Sequence, residues 1–285
     1  MLAGAPALVA AVPPRFTLSS KAIDSSIPAQ FHPQSPVGRW RSSRLDPGAP
    51  YPAWFWSDPA LGAGGFGAST AQLILADALV QRSSWHELWR TYRSLHQDSL
   101  GSPPSGADLV TQTLGGVIEF QLPEQEDASP RADQRQDGLA SIHLAVIQAS
   151  QQLGRKTATH LHLKEVSRSQ REIWRERFEP SISAGIQAFA RGDRLAFSAA
   201  LHAAAEGFAR EGLEIEAAAR DREALVRLPG VLAVKGSGAM QSDALIAVIE
   251  PTRFDPEEFE RVLIERGLRL WCSRLSATSG LEVSE

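Results

Sequence analysis

The sequence predicts an α/β (α+β) protein of two lobes, and three observations support this prediction. The chain has 285 residues, of which 43% are hydrophobic, enough for two cores of moderate size. A glycine-rich stretch at 57–72 leads into a long apolar pattern with helical spacing. Between 231 and 271 the order of patterns is strand, loop, strand, helix and strand, which is typical of an α/β sandwich. We expect lobes at 1–150 and 151–285.

The first part of the chain combines apolar strands with proline-rich segments. Pro6–Val12 and Arg15–Ser19 are predicted strands that meet at a turn, Pro13-Pro14. Residues 25–59 are rich in proline, serine and aromatic rings, which predicts irregular edge strands and loops packed by large rings. The apolar residues 1–12 lack a positively charged leader, so we expect a strand there and not a signal peptide.

The middle and the end of the chain alternate between helical and strand patterns. Helices are predicted over about 68–81, over 85–96, and from 156 to about 228 with breaks near Pro180, Gly192 and Gly212. Strands are predicted at 115–121, 141–147, 231–234, 244–249 and 268–271, with a last helix from Asp255-Pro256 to about Glu265. Residues 124–138 are charged without periodicity, so a surface loop is expected there.

The glycine-rich stretch has the composition of a phosphate-binding loop. Glycines at four of six positions permit positive φ angles and bring several N–H groups close to an anion: Gly62, Gly64, Gly65 and Gly67. The helix that follows would add its positive N-terminal end. Ser69 and Thr70 stand at the junction, where a hydroxyl can cap the helix or reach a phosphate or a metal ion. An ordinary tight turn is the alternative interpretation.

Two other loop families fit this stretch less well. The spacing of Gly62, Gly64 and Gly67 matches the dinucleotide fingerprint, but the preceding residues 51–56 contain a proline that suits no central strand. Glu87 lies in a helical pattern and not at the end of a second strand. A Walker A loop requires a lysine, and none occurs between positions 21 and 156. The sequence therefore predicts a lysine-free glycine loop before a long helix.

Two further loops carry candidate chemistry. Ser105 or Asp108, just before an apolar run, is typical of a helix N-cap, and the same carboxylate could instead accept a proton from a hydroxyl group. Lys235–Ala239, with Gly236, Ser237 and Gly238, lies between two predicted strands. It fits a hairpin turn, or a second backbone wall around a phosphate chain.

Charge and cysteine content bound the remaining classes of function. A net charge of -4 and a pI of about 6.0 give no electrostatic footprint for nucleic acid or an anionic membrane surface, so neither partner is expected. The single cysteine, Cys272, excludes an internal disulfide and favours a cytoplasmic location. His160 and His162 are two residues apart in a helical pattern and would point in different directions, so they are not expected to form a zinc pair.

Taken in order, these stretches resemble the signature regions of the GHMP small-molecule kinases, the superfamily of galactokinase, homoserine kinase, mevalonate kinase and phosphomevalonate kinase. Gly65–Ala71 resembles the phosphate loop Gly-Leu-Gly-Ser-Ser-Ala-Ala. Pro104–Asp108 with Gly115-Gly116 resembles the Pro-Ser-Gly-x-Asp and Gly-Gly segment of mevalonate-type kinases. Lys235–Ala239 resembles the third motif, and Gly4–Val12 is similar to the strand that follows the first motif.

The resemblance implies a two-lobed GHMP kinase fold, with an N-terminal lobe like ribosomal protein S5 domain 2 and a ferredoxin-like C-terminal lobe. It implies ATP and Mg²⁺ in a cleft between the lobes. It also implies transfer of the γ-phosphoryl group to a small hydroxy acid or its phosphate, mevalonate or phosphomevalonate, in isoprenoid-precursor synthesis. Such a protein would act on a small-molecule substrate as a monomer or homodimer.

The resemblance also implies a role for each motif residue. Asp108 would be the catalytic base, Ser105 and Gly106 would contact the acceptor, and Ser69 would reach Mg²⁺. The ATP-binding set would consist of backbone and side-chain groups of two loops: Gly62, Gly64, Gly65, Gly67, Ala68, Ser69 and Thr70, and Lys235, Gly236, Ser237, Gly238 and Ala239.

Three departures from the family pattern leave an alternative open. The opening motif, Pro-Gly-Lys, whose lysine neighbours the catalytic aspartate, has no counterpart in the sequence. Losing such a lysine would cost on the order of 10²-fold in rate. Ala68 replaces the first serine of the phosphate loop, and Gln97 stands where mevalonate kinases have a metal-binding glutamate and phosphomevalonate kinases often have glutamine. A weakened or silent nucleotide-binding protein is therefore the second hypothesis, and a nicotinamide-dependent dehydrogenase is the third.

Overall fold

The computed structural model describes residues 4–21, 27–44, 53–60, 65–96, 104–123, 125, 128–148, 166–238 and 244–283. The chain forms two compact units, and each is assembled from separate segments of sequence. Unit 1 comprises residues 1–9 and 117–277, and unit 2 comprises residues 10–116 and 278–285. The lobe boundary expected at residue 150 stays a prediction.

Unit 2 combines a small sheet with helices. Its antiparallel sheet has the strand order β2 (Thr17–Ser19), β4 (Phe55–Ser57), β3 (Ile27–Pro28). Its helices are α1 (Pro36–Arg44), α2 (Ala68–Val80), α3 (Trp85–Ser94) and α4 (Ala107–Leu114). Helices α2 and α3 confirm the predicted helical patterns, and β2 lies within the predicted strand at 15–19.

Helix α1 was not predicted, since edge strands and loops were expected over 25–59. The helix forms because tertiary packing holds it. The Trp40 side chain is completely buried, and Gly38 lets the helix approach the backbone of His32 so closely that a Cβ atom would overlap it. Burial of one tryptophan outweighs the weak helical propensity of a serine- and glycine-containing segment.

Unit 1 contains two sheets and the longer helices. One sheet has the order β1 (Ala7–Ala10), β5 (Val117–Gln121), β6 (Arg131–Gln134), and the other has β10 (Arg269–Cys272), β7 (His143–Gln148), β9 (Ala244–Ile249), β8 (Val231–Gly236). The helices are α5 (Gly138–Ser141), α6 (Arg168–Ala190), α7 (Arg194–Arg210), α8 (Glu216–Val226) and α9 (Pro256–Glu265). Leu225 of α8 and Phe259 and Leu263 of α9 share one buried core with the four-stranded sheet.

Two predictions about unit 1 were wrong. Residues 124–138 were expected to form a surface loop, but Arg131–Gln134 form β6, paired antiparallel with β5. The strand could not be predicted from its polar side chains, because an edge strand does not require alternating apolar residues. The break expected near Pro180 is also absent, since α6 continues through it. Pro180 and Glu176, whose carbonyl group loses its helical partner, are both exposed, which makes the proline tolerable there.

The helical stretch predicted from 156 to about 228 contains α6, α7 and α8, whereas its first residues, 156–165, lie outside the described residues. Gly192 and Gly212 follow the ends of α6 and α7 with positive φ angles, as expected of helix-ending glycines. Helix α9 begins at Asp255-Pro256, where the Asp255 carboxylate accepts from two backbone N–H groups. His160 and His162 lie outside the described residues. Among the helices that the structure describes, none has the length and apolar character needed to cross a membrane.

Candidate functional site

The glycine-rich stretch enters the described part of the chain at Gly65, so Gly62 and Gly64 lie outside it. Gly65 and Gly67 have φ angles of +91° and +73°, a region that only glycine adopts without strain. Gly67 is the N-cap of α2, and no side chain caps that helix. Ala68, Ser69 and Thr70 form its first turn. The N–H groups at the start of α2 are therefore not occupied by a capping side chain, as an anion-binding helix end requires.

The structure brings the second predicted motif against the first. Gly106 is the N-cap of α4 with a φ angle of +72°, and Asp108 lies in the first helical turn. The Thr70 hydroxyl donates a hydrogen bond of 2.6 Å to Oδ2 of Asp108. Asp108 is half-buried and Thr70 is fully buried. Asp108 is thus not the N-cap that the alternative interpretation expected, because Gly106 holds that position and Asp108 lies within the helix.

Gln112 joins the same two elements and was not predicted. It lies one helical turn after Asp108, and its Nε2 donates to the carbonyl oxygens of Phe66 and Gly67 at 3.3 and 3.2 Å. Because C=O and N–H point in opposite directions across a trans peptide, this fixes the N–H groups of Gly67 and Ala68 away from α4. The spacing of four residues after Asp108 is the signal that could have revealed it.

Helix α3 supports the segment before Asp108. Trp89 Nε1 donates to the Ser105 carbonyl oxygen at 2.8 Å, and Arg93 Nη1 donates to the Pro104 carbonyl oxygen at 3.0 Å. A Cβ atom on Gly106 would lie 2.7 Å from Trp89 Cδ1. Ser105 and Gly106 are the residues predicted to bind the acceptor substrate. Their backbone is therefore held by the side chains of α3, for which the sequence predicted only a packing role.

Tyr92, also on α3, adds a phenol to this cluster. Its side chain is buried, and its ring lies against Gly106, where a Cβ atom would stand 3.4 Å from Tyr92 Cδ1. Burial raises the pKa of Tyr92 well above its ordinary value, the negative charge of Asp108 raises it further, and the neighbouring Thr70 hydroxyl lowers it. The phenol is therefore protonated at neutral pH.

The third predicted loop belongs to unit 1. The two strands on either side of this loop, β8 and β9, pair antiparallel, as the hairpin interpretation predicted. Lys235 turns back on this loop: its Nζ donates to the carbonyl oxygens of Gly236 and Gly238 at 2.7 and 3.0 Å and lies 4.4 Å from the centre of the Phe208 ring. Burial lowers the pKa of Lys235 to about 8, and the charge of Glu214 acts in the opposite direction.

The glycines of this loop differ in their surroundings. Gly238 is exposed, has a φ angle of +79°, and has open space where a Cβ would stand, whereas the Ser237 N–H donates to the Ala244 carbonyl oxygen. Ala239 lies outside the described residues, as does Gln97. A role of this loop as a phosphate wall stays a prediction.

The oxygen atoms near the glycine loop are suitable ligands for a metal ion that binds together with a nucleotide. Within the described ranges, no group of three or more His, Cys, Asp or Glu side chains could hold a metal ion. Mg²⁺ takes one or two protein oxygen ligands together with phosphates and water. The carboxylate of Asp108 and the hydroxyl of the exposed Ser69 are ligands of that kind.

Comparison with solved structures agrees with the sequence resemblance. Phosphomevalonate kinase from Streptococcus pneumoniae superposes with a TM-score of 0.65 at 14% identity, over 94% of this chain and 91% of that chain. Mevalonate kinase from Methanococcus jannaschii gives 0.59 at 14% identity, over 85% and 74%. Galactokinase from Lactococcus lactis gives 0.61 at 12% identity, over 86% and 75%. The chain has the GHMP kinase fold. No family model and no curated protein sequence matches it.

Proposed function

We propose that this protein transfers the γ-phosphoryl group of ATP to a small hydroxy acid or its phosphate, with mevalonate and phosphomevalonate as acceptors. The observation that carries the proposal is the 2.6 Å bond between Thr70 and Asp108. It places a carboxylate beside the start of an uncapped helix that follows a glycine loop. Phosphoryl transfer depends on positioning the acceptor hydroxyl against a bound phosphate, and this is the arrangement it needs.

Each motif residue has a role in this proposal. Asp108 orients the acceptor hydroxyl and accepts its proton, and Ser105 and Gly106 contact the acceptor. Ser69 faces solvent at the start of α2, from where its hydroxyl can reach a metal. Mg²⁺ supplied with ATP would neutralise charge on the transferred phosphate. The ATP phosphates are assigned to both glycine loops: Gly62, Gly64, Gly65, Gly67, Ala68, Ser69 and Thr70, and Lys235, Gly236, Ser237, Gly238 and Ala239.

The choice of acceptor rests on the solved structures with the same fold. A second structure of the Streptococcus pneumoniae enzyme holds phosphomevalonate and AMPPNP, an ATP analogue. Galactokinase has the same fold and was solved with galactose. Galactose is therefore the third acceptor to test. A cytoplasmic location and a monomeric or homodimeric state remain predictions from the sequence.

The experiment measures ADP release with ATP, Mg²⁺ and each acceptor in turn. We expect Asp108→Asn to lower kcat by about 10²- to 10⁴-fold, because the amide cannot accept the proton. ATP binding measured by calorimetry should persist in the variant. Asp137→Asn is the control, since Asp137 is exposed at the start of α5 and makes no capping hydrogen bond. Full turnover in Asp108→Asn contradicts the assigned role.

A silent nucleotide-binding protein is the second candidate, and one observation favours it. In the part of the chain that the structure describes, the hydrogen bond to Asp108 comes from the neutral Thr70 and no basic side chain forms an ion pair with it. A kinase without a cation beside the transferred group is slow. This candidate predicts calorimetric binding of ATP with no ADP release, and measurable acceptor-dependent turnover excludes it.

A further inference from the structure

The glycine loop before α2 has a backbone that could adopt two opposite orientations. Gly65 and Gly67 both have positive φ angles, and glycine tolerates either sign of φ, so the peptide between Phe66 and Gly67 can rotate by half a turn at little cost. Such a rotation exchanges the positions of the N–H and C=O groups. A phosphate is attracted by the N–H group and repelled by the carbonyl oxygen, so only one of the two orientations suits an anion.

Gln112 contacts the carbonyl side of this loop. Its Nε2 lies 3.3 Å from the Phe66 carbonyl oxygen and 3.2 Å from the Gly67 carbonyl oxygen. Both partners only accept hydrogen bonds, so the NH₂ end of the amide faces them, with one hydrogen for each oxygen. A rotated peptide would present an N–H group to this donor instead of an acceptor. Gln112 therefore selects the orientation in which both carbonyl oxygens face α4.

The space around Gly67 shows how closely α4 approaches the loop. A Cβ atom on Gly67 would overlap Gln112 Nε2 and would lie 3.7 Å from Asp108 Oδ2. The Gly67 carbonyl oxygen also accepts from the Ala71 N–H at 2.9 Å, so Gln112 uses its second lone pair. The absence of a side chain at position 67 thus permits both the positive φ angle and the approach of the Gln112 amide.

We propose that Gln112 is a positioning residue for the nucleotide, because it holds the glycine loop in the orientation whose Gly67 and Ala68 N–H groups bind the ATP phosphates. This rests on the assignment of that loop to ATP in the proposed function. Gln112 does not contact the phosphates, since its amide lies on the carbonyl side of the loop. A loop that is ordered beforehand binds more tightly, because less conformational entropy is lost when the nucleotide arrives.

Helix α4 then carries two separate functions one helical turn apart. Asp108 acts on the acceptor and determines kcat, whereas Gln112 acts through the loop and determines the affinity for ATP. Substitutions at the two positions should therefore have opposite kinetic effects, although both side chains lie beside Gly67.

The first test observes the two N–H groups and requires no phosphoryl transfer. In ¹⁵N-labelled protein, AMPPNP with Mg²⁺ should move the Gly67 and Ala68 amide proton resonances downfield, as hydrogen bonds to phosphate do. Gln112→Met and Gln112→Glu both remove the donor at similar side-chain size. At saturating AMPPNP, the two displacements should fall by about half or more in each variant, because the loop then divides between two orientations.

Thr113→Val is the matched control on the same helix. The Thr113 hydroxyl donates to the Leu109 carbonyl oxygen within α4, and valine keeps the shape of threonine. The displacements of Gly67 and Ala68 in this variant should equal those of the unmodified protein.

The second test separates nucleotide affinity from turnover. Calorimetry should show that both Gln112 variants raise the Kd for ATP by about tenfold, as expected for the loss of two modest hydrogen bonds. KM for ATP should rise by a similar factor, while kcat stays within about threefold. Asp108→Asn is the opposite case, with kcat lowered and ATP binding retained.

The outcomes distinguish this inference from the proposed function. Undiminished displacements of Gly67 and Ala68 in both Gln112 variants would mean that the loop keeps its orientation without Gln112, and a lower kcat at unchanged ATP affinity would assign Gln112 to the acceptor. Each result overturns the inference, as does AMPPNP that moves neither resonance in the unmodified protein. If AMPPNP moves both resonances but no acceptor is phosphorylated, the proposed phosphoryl transfer fails and the role of Gln112 stands.

Discussion

Gly106 satisfies two requirements at a single residue. Its φ angle of +72° disfavours any side chain, and a Cβ atom would lie 2.7 Å from Trp89 Cδ1. Gly106→Ala should therefore lower the free energy of unfolding by about 2–4 kcal/mol, combining backbone strain with displacement of a buried ring. Urea unfolding measures the change.

Gly212 provides a control in which only backbone strain contributes to the loss of stability. Gly212 has a φ angle of +69° and no atom within 4 Å of its Cβ position. Gly212→Ala should therefore cost only about 1 kcal/mol. Equal decreases in the free energy of unfolding would mean that the Trp89 side chain moves aside without an energetic cost. That result would contradict the close support of the Ser105 backbone by α3.

At the residue scale, the sequence predicts the side chains with candidate catalytic or binding roles, but it does not predict the side chains that hold them in position. Asp108 and Thr70 were identified because acids and hydroxyls at glycine-rich helix starts form a pattern along the chain. Gln112 and Tyr92 were not, since their roles depend on which helices pack together. Their contacts join α4 to the loop before α2 and α3 to the start of α4, and no periodicity within a single helix contains that information.

At the element scale, Pro180 is the clearest test of how packing overrides propensity. It lies on the exposed side of α6, which contains Arg168–Ala190. Pro180→Ala restores the missing backbone hydrogen bond and removes the steric conflict with the preceding turn, so the free energy of unfolding should rise by about 1–3 kcal/mol.

Guanidinium denaturation followed by far-UV circular dichroism measures this rise. Glu176→Ala, at an exposed position one turn earlier, is the control and should change stability by less than about 0.5 kcal/mol. A loss of stability in Pro180→Ala would mean that α6 requires the bend that proline imposes.

The sequence predicted elements best where apolar periodicity was strong. Ala244–Ile249 is buried in the four-stranded sheet and was placed correctly to the residue. Helix α1 and strand β6 were missed for the opposite reason. Burial of Val37 and Trp40 holds α1, and β6 is a polar edge strand whose identity depends on its pairing with β5.

At the scale of the molecule, unit 2 is completed by residues from the C-terminal end of the sequence. Ser279 forms a β-bridge with Gly115, and the Leu281 N–H donates to the Thr113 carbonyl oxygen at 3.0 Å. Arg15 donates to the Gly280 carbonyl oxygen at 3.0 Å. Gly280 lies so close to Thr113 that a Cβ atom would overlap its carbonyl oxygen.

Gly280→Ala should therefore detach this segment from the end of α4. We expect amide hydrogen exchange at Leu281 to accelerate by about tenfold or more, as its bond to the Thr113 carbonyl oxygen opens. Glu282→Gln is the control, because the Arg15–Glu282 ion pair is exposed and contributes about 0–1 kcal/mol. Unchanged exchange in Gly280→Ala would contradict a structural role for the segment.

The same segment sets an order of events during synthesis of the chain. Residues 10–116 leave the ribosome early, but Ser279 and Leu281, which pair with Gly115 and Thr113, emerge only after all of Val117–Ala277 has been made. Domains made of one continuous segment fold as they emerge. Unit 2 cannot do so completely, and the end of the helix that carries Asp108 acquires its last backbone partners only after the segment Val117–Ala277 of unit 1 has been made.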